Sequence, residues 1–153
     1  MKRGCKAGQM KMSFGMIFSI ILIIIFLVFA FYGIKFFIDM QEKAKIGTFV
    51  ENFQKKINGL WEGPEGSTEF TASLPKKIER VCLKNWEYEN LVFIPSSAVE
   101  LGPFNIKHID IEKTTSGNNG GRNNELCFEN SGDEISMILK KNYGETLVTI
   151  SKV

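Results

Sequence analysis

Between Lys11 and Lys35 the chain runs for 23 residues without a charged side chain, and no other feature restricts its folding choices so sharply. A helix of that length rises about 1.5 Å per residue and reaches roughly 34 Å, enough for a bilayer core of about 30 Å. Fifteen of the 23 are Ile, Leu, Val or Phe. Together they favour insertion by about 7 kcal/mol, before small penalties from Ser13, Gly15, Ser19 and Gly33. A core helix of a soluble protein would keep a polar stripe and seldom exceed about 14 unbroken apolar residues. The predicted transmembrane helix is residues 12–37, and the lipid bilayer is the first partner the sequence implies.

A cleaved secretory signal has a shorter apolar region and a small-x-small exit. Here the run leaves through Phe29-Ala30-Phe31-Tyr32-Gly33-Ile34-Lys35-Phe36-Phe37, whose bulk suits an interfacial aromatic belt, so the span is expected to persist as a signal anchor. Lys2, Arg3, Lys6 and Lys11 precede it without an acid, whereas Lys35, Lys43 and Lys45 follow among Asp39 and Glu42. Positive flanks stay inside, so residues 1–11 are predicted to be a basic cytoplasmic tail and the rest of the chain to be extracytoplasmic.

The net charge of +2 hides two unlike parts. Residues 1–37 carry five basic side chains and no acidic one, which leaves 14 basic against 17 acidic in the remainder. A mildly acidic domain with interleaved lysines offers no basic stripe for phosphates, and nucleic acid is not an expected partner.

Past the span, Ile46, Phe49, Val50, Phe53, Ile57, Leu60 and Trp61 recur at spacings of three and four. That is one face of a helix, so residues 38–62 are predicted to continue the first helix as an amphipathic half that packs on its own domain. Gly47 and Gly59 mark places where it could kink or stop. Gly63-Pro64-Glu65-Gly66-Ser67 then brings turn chemistry, and residues 63–153 read as a β-rich domain. Strands are predicted at 68–73, 78–84, 91–94, 106–112, 126–129, 135–141 and 146–151. With no crossover helices between them, the fold class is α+β: a long N-terminal helix followed by a mostly antiparallel sheet or small β-sandwich. Residues 114–124 are predicted to be a polar, low-complexity loop.

Cys82 and Cys127 lie in similar short apolar contexts, Arg80-Val81-Cys82-Leu83-Lys84 and Glu125-Leu126-Cys127-Phe128-Glu129. Neighbouring strands would bring them together as a disulfide closing a loop of about 46 residues, worth on the order of 4 kcal/mol in the chain-entropy description. Two buried free thiols acting as small apolar residues are the alternative. Cys5 reads as an unpaired cytoplasmic thiol, or as a site of S-acylation near the membrane.

No constellation of side chains points to catalysis. Gly117-Asn118-Asn119-Gly120-Gly121 has no following Lys-Ser or Lys-Thr pair to make a phosphate cradle. His108, Asp110 and Glu112 alternate along a predicted strand, as metal ligands could, but Ile109 and Ile111 between them make a solvated outer face the simpler reading. As the only histidine, His108 cannot supply a two-histidine zinc site. Trp86 and Tyr88 are expected to cover a core edge, with a contact patch for a partner or glycan as the alternative. The sequence implies no catalytic residue, no metal, no cofactor and no small-molecule substrate. Gly15 and Ser19, four apart on one helix face, would permit close approach of a second membrane helix.

Lys6-Ala7-Gly8-Gln9, placed before an apolar helix that continues into an amphipathic half and a sheet, resembles the class III-type N-terminus of type IV pilin-like proteins. The resemblance implies a peptidase cut between Gly8 and Gln9 and a span that packs in the core of a filament. The family's glutamate five residues into the mature chain is here Ser13, and Lys11 falls inside the packing segment. Gln9 to Phe18 is also similar to the N-termini of uncharacterised archaeal single-pass membrane proteins. Two functions follow as expectations: a membrane-anchored domain with a structural or partner-binding role, or a pilin-like filament subunit or accessory protein that self-associates.

Overall fold

A computed structural model of the 153-residue chain describes residues 14–99, 104–116, 124–132 and 134–153. The chain divides into two units, residues 1–39 and 40–153. Helix α1 (Phe14–Glu62) supplies all the described part of the first unit and opens the second. It passes through Gly47 and Gly59 without interruption. Both glycines face open space, so crowding does not account for their small size.

From Phe14 to Asp39 every residue is exposed. This stretch is apolar and α1 is long enough to cross a membrane. A helix can do so because its backbone polar groups bond within the segment. Ser19 conforms to that requirement by donating its hydroxyl to the Gly15 carbonyl at 2.8 Å.

In the second unit the predicted periodicity is realised. Ile46, Phe49, Phe53 and Ile57 are buried, with Val50 and Leu60 packed beside them. They meet two three-stranded sheets. In one, β1 (Gly66–Ser73) pairs with β5 (Glu134–Lys141), which pairs with β6 (Thr149–Ser151), in the order β1-β5-β6. In the other, β2 (Arg80–Lys84) lies between β3 (Leu91–Ile94) and β4 (Glu125–Glu129). All four strand pairings are antiparallel. Phe49 joins the sheets through the helix: its ring is edge-on to Phe70 of β1 at 5.6 Å and to Phe93 of β3 at 5.7 Å. Such aromatic pairs contribute about 0.5–1.5 kcal/mol each beyond their burial.

Alternation along the strands sorts the faces. Ile135, Met137 and Leu139 of β5 are buried while Ser136 and Ile138 between them are only partly so. On the central strand β2 Val81, Cys82 and Leu83 are all buried, as expected where both faces of a strand are covered. Short helix α2 (Ile111–Thr115) packs against β2, β4 and β6. Thr114 of α2 is buried and accepts the Ile150 N–H on its hydroxyl at 3.1 Å.

One predicted strand is absent. Residues 106–112 form an irregular segment entering α2, for three physical reasons. Asp110 is the N-cap of α2, its carboxylate accepting the Lys113 N–H at 3.0 Å. His108 adopts φ 66°, a left-handed conformation that a strand cannot contain. At Ile106 and Lys107 the backbone groups that a neighbouring strand would satisfy are taken by amide side chains, and only a single parallel bridge, Ile109 to Val148, follows. Asn90 brackets Ile106, donating to its carbonyl and accepting its N–H at 2.7 Å each. Gln54 brackets Lys107 in the same manner at 3.2 and 2.8 Å. The predicted polar loop at 114–124 is likewise corrected at its start, since Thr114 and Thr115 are buried in α2, and residues 117–123 lie outside the described residues.

Candidate interaction surface

Cys82 and Cys127 are cross-strand partners in the register of β2 and β4 and form a disulfide. The bond ties strands 45 residues apart in sequence. Its thiols are consumed in structure, and Cys82 is wholly buried. Gly8 and Gln9 lie outside the described residues. Gly15 and Ser19 share a helix face as expected, with the serine hydroxyl turned back on its own helix.

His108, Asp110 and Glu112 do not converge. Asp110 caps α2, and Glu112 is exposed in its first turn. His108 stacks on the indole of Trp61, with centroids 3.8 Å apart and planes 4° from parallel. Its Nδ1 lies 3.1 Å from the Asn58 side-chain oxygen, which also accepts from Gln54 Nε2 at 2.8 Å. An amide oxygen accepts only, so the network assigns the proton to Nδ1 of His108. Gln54, Asn58 and Trp61 recur along α1 and form a polar seam that binds the 106–108 segment. The chemistry here is fastening.

The expectation that Trp86 and Tyr88 cover a core edge is overturned. They stand at the tip of the β2–β3 hairpin, 55% and 79% exposed, with the Lys84 ammonium 4.6 Å from the Trp86 ring. Lys84 also pairs with Glu125 at 3.1 Å. The physical reason is register: β2 and β3 end their pairing at Leu83 and Leu91, so the residues between them leave the sheet.

Concave surfaces lie elsewhere, one of about 690 Å³ between α1 and residues 104–106. Two adjoining open grooves of about 650 and 610 Å³ follow β1 on one side and the flank of α1 on the other, sharing Asn52, Phe70 and Thr71. Lys45, Thr48, Asn52, Lys55, Lys56 and Gly59 line the helical wall. Their spacings place them on one flank of a helix. The opposite wall is the edge of β1, which runs back along the helix. Gly66 passes where an added Cβ would meet the Leu60 side chain at 3.0 Å, and Phe70 packs against Phe49 and Phe53.

No protein-family model, curated protein or solved structure matches the chain.

Among the described residues the groove is lined by neither a histidine nor a cysteine, and Glu69 is the one acid. It is open to solvent and lined by both polar and apolar groups. A smaller hollow of about 380 Å³ is bordered by Lys113, Ser116, Lys140 and Glu145. There Glu145 accepts from Asn142 N–H at 3.2 Å and from the Lys113 ammonium at 3.2 Å, while Lys113 also pairs with Asp110 at 3.4 Å. These contacts close α2 onto the turn before β6. The sequence reading missed these hollows, and it missed Lys141. That lysine sits in line with the apolar residues of β5, 8% exposed, and donates to the carbonyls of Trp61 and Gly63 at 2.6 and 2.7 Å. It caps the C-terminal end of α1, where a cation complements the helix dipole.

Proposed function

We propose that this protein is a single-pass, membrane-anchored domain with a non-catalytic, partner-binding role, its tail cytoplasmic and its β-rich domain extracytoplasmic. The observation that carries the reading is the division of labour along α1. From Phe14 to Asp39 the helix has no cover within the described chain, whereas from Ile46 onward it supplies the core stripe of a folded domain. A stretch that apolar is stable only in lipid or against other apolar helices. The Cys82–Cys127 disulfide supports an oxidising compartment for the domain. The lysines and arginine before the span, unaccompanied by acids, support an inside tail.

The test is topological. Protease added outside intact cells is expected to remove the domain after Phe37 while a tag on the tail stays protected. Cleavage of the tail with protection of the domain overturns the assignment.

A second reading, a pilin-like subunit that self-associates through its apolar helix, is supported by the unbroken run of α1 through both units. Intact mass of the protein from its native membrane decides between the two. Loss of residues 1–8 favours the filament subunit, and a full-length chain favours the tethered domain. Gly15→Leu with Ser19→Leu is expected to reduce self-association of the span only under the filament reading.

A further inference from the structure

The geometry points to the groove between α1 and β1 as a site that takes an extended acidic peptide segment of another protein by strand addition to β1. The inference rests on the partner-binding reading above and specifies its ligand class.

Four observations carry it. First, β1 is an edge: it pairs with β5 on one side, and among the described residues no strand pairs with the other. Second, the edge is long and regular. Its eight residues keep a continuous register with β5, without a bulge or proline, the devices that usually blunt an open edge. Third, the walls match in length. The strand extends about 26 Å, and α1 from Lys45 to Gly59 rises about 21 Å beside it. A helix flanking an open sheet edge is the arrangement by which several peptide-binding domains admit a strand.

Fourth, the charge of the helical wall is one-sided. Lys45, Lys55 and Lys56 form no ion pair with any described residue, and among the described residues Glu69 is the one acid in the lining. Side chains of an added strand alternate between the two faces of the sheet. Every second residue would therefore face the lysines, and acids at alternate positions are the pattern they would recognise. Main-chain bonds to β1 would supply affinity, and the lysines selectivity.

The experiment uses the full chain in neutral phosphatidylcholine nanodiscs and three fluorescent peptides of equal length: alternating Thr and Glu, alternating Thr and Lys, and alternating Pro and Glu. Anisotropy is expected to show binding of the Thr/Glu peptide alone. Hydrogen exchange is expected to slow within residues 66–73 when it is added. Lys55→Glu with Lys56→Glu, both on an exposed face, should weaken binding by at least about tenfold while leaving the unfolding midpoint unchanged. Equal binding of the Pro/Glu peptide would reduce the effect to charge adhesion and overturn strand addition. Equal binding of the Thr/Lys peptide, or absence of binding, overturns the proposal. If the protein self-associates in detergent and the double variant is monomeric, the groove takes a second copy and the proposal is wrong as stated. Each of these failures leaves the tethered-domain reading in place, because the protease test decides that separately.

Discussion

His108 lies flat on Trp61, the two ring planes 4° from parallel at a centroid separation of 3.8 Å. The contact joins the last turn of α1 to a segment some fifty residues later, and it is held on its other edge by Asn58. His108 holds this position at φ 66°, so its contacts offset an unfavourable backbone. His108→Ala is expected to destabilise by about 2 kcal/mol, from the lost stack and the lost hydrogen bond, with the backbone cost left unoffset. His108→Gly should cost less by roughly 1 kcal/mol, because glycine tolerates that φ. Urea unfolding of the two variants in the same micelles measures the difference, and equal losses would remove the backbone from the explanation.

Lys141 is the only buried charged residue among those described, and its two hydrogen-bond partners are carbonyls at the end of α1. Lys141→Met keeps the stem and removes the donor, so it should lower stability by about 1–3 kcal/mol. Hydrogen exchange is expected to rise first in the last turn of α1. A variant as stable as the parent would show that the chain reversal at 63–65 holds without its cap.

Reduction of Cys82–Cys127 should destabilise by about 4 kcal/mol, the figure for a loop of this size. Thermal unfolding with and without reductant, with Cys82→Ala and Cys127→Ala together as the control, reads it directly. If reductant also shifts the unfolding of the double variant, the effect comes from elsewhere.

The Lys113–Glu145 contact gives a pH dependence whose sign can be worked out. The Asn142 backbone N–H and then the Lys113 ammonium hold the Glu145 carboxyl below its usual range. Hydrogen bonds to Glu145 and then to Asp110 hold Lys113 above its own. A carboxyl whose pKa is depressed by folding stabilises above its unfolded-state value and loses that contribution as pH falls through the folded value. The lysine's contribution is complete below its unfolded-state value and lost as pH rises through the folded one. Glu145→Gln should therefore be less stable than the parent at neutral pH, with the gap closing below about pH 4. The gap should also shrink with salt, since both groups face solvent. A gap independent of pH would show that the charged carboxylate's contacts with Asn142 and Lys113 are not its cause.

How much of this was legible in the sequence follows from which features are local. The span, the stripe at Ile46, Phe49, Phe53 and Ile57, and the strand around Leu91 each announce themselves within a few turns of chain. The cysteine pairing was legible because Cys82 and Cys127 sit in matching contexts. Residues 106–112 misled because Ile109 and Ile111 alternate like a strand, while the groups that satisfy Ile106 and Lys107 come from Asn90 and Gln54, 16 and 53 residues away. Asp110 ahead of Lys113 was the available sign of a helix start. The groove was hidden for a different reason: Lys45, Lys55 and Lys56 read as a solvated helix face until the strand order makes β1 an edge.

The pairing of β1 with β5 has a consequence for synthesis. The chain is made from its N-terminus, so the stripe on α1 exists well before the strands that cover it. Phe49 and Phe53 can meet Phe70 early, but the partner of β1 is complete only at Lys141, long after β1 itself has been made. Until then the open strand has two unpaired edges and the phenyl rings face water, a surface that invites both misassembly and chaperones. A ribosome stalled before β5 would present such an intermediate, and termination before Glu134 should yield aggregated or degraded protein rather than a shorter stable domain.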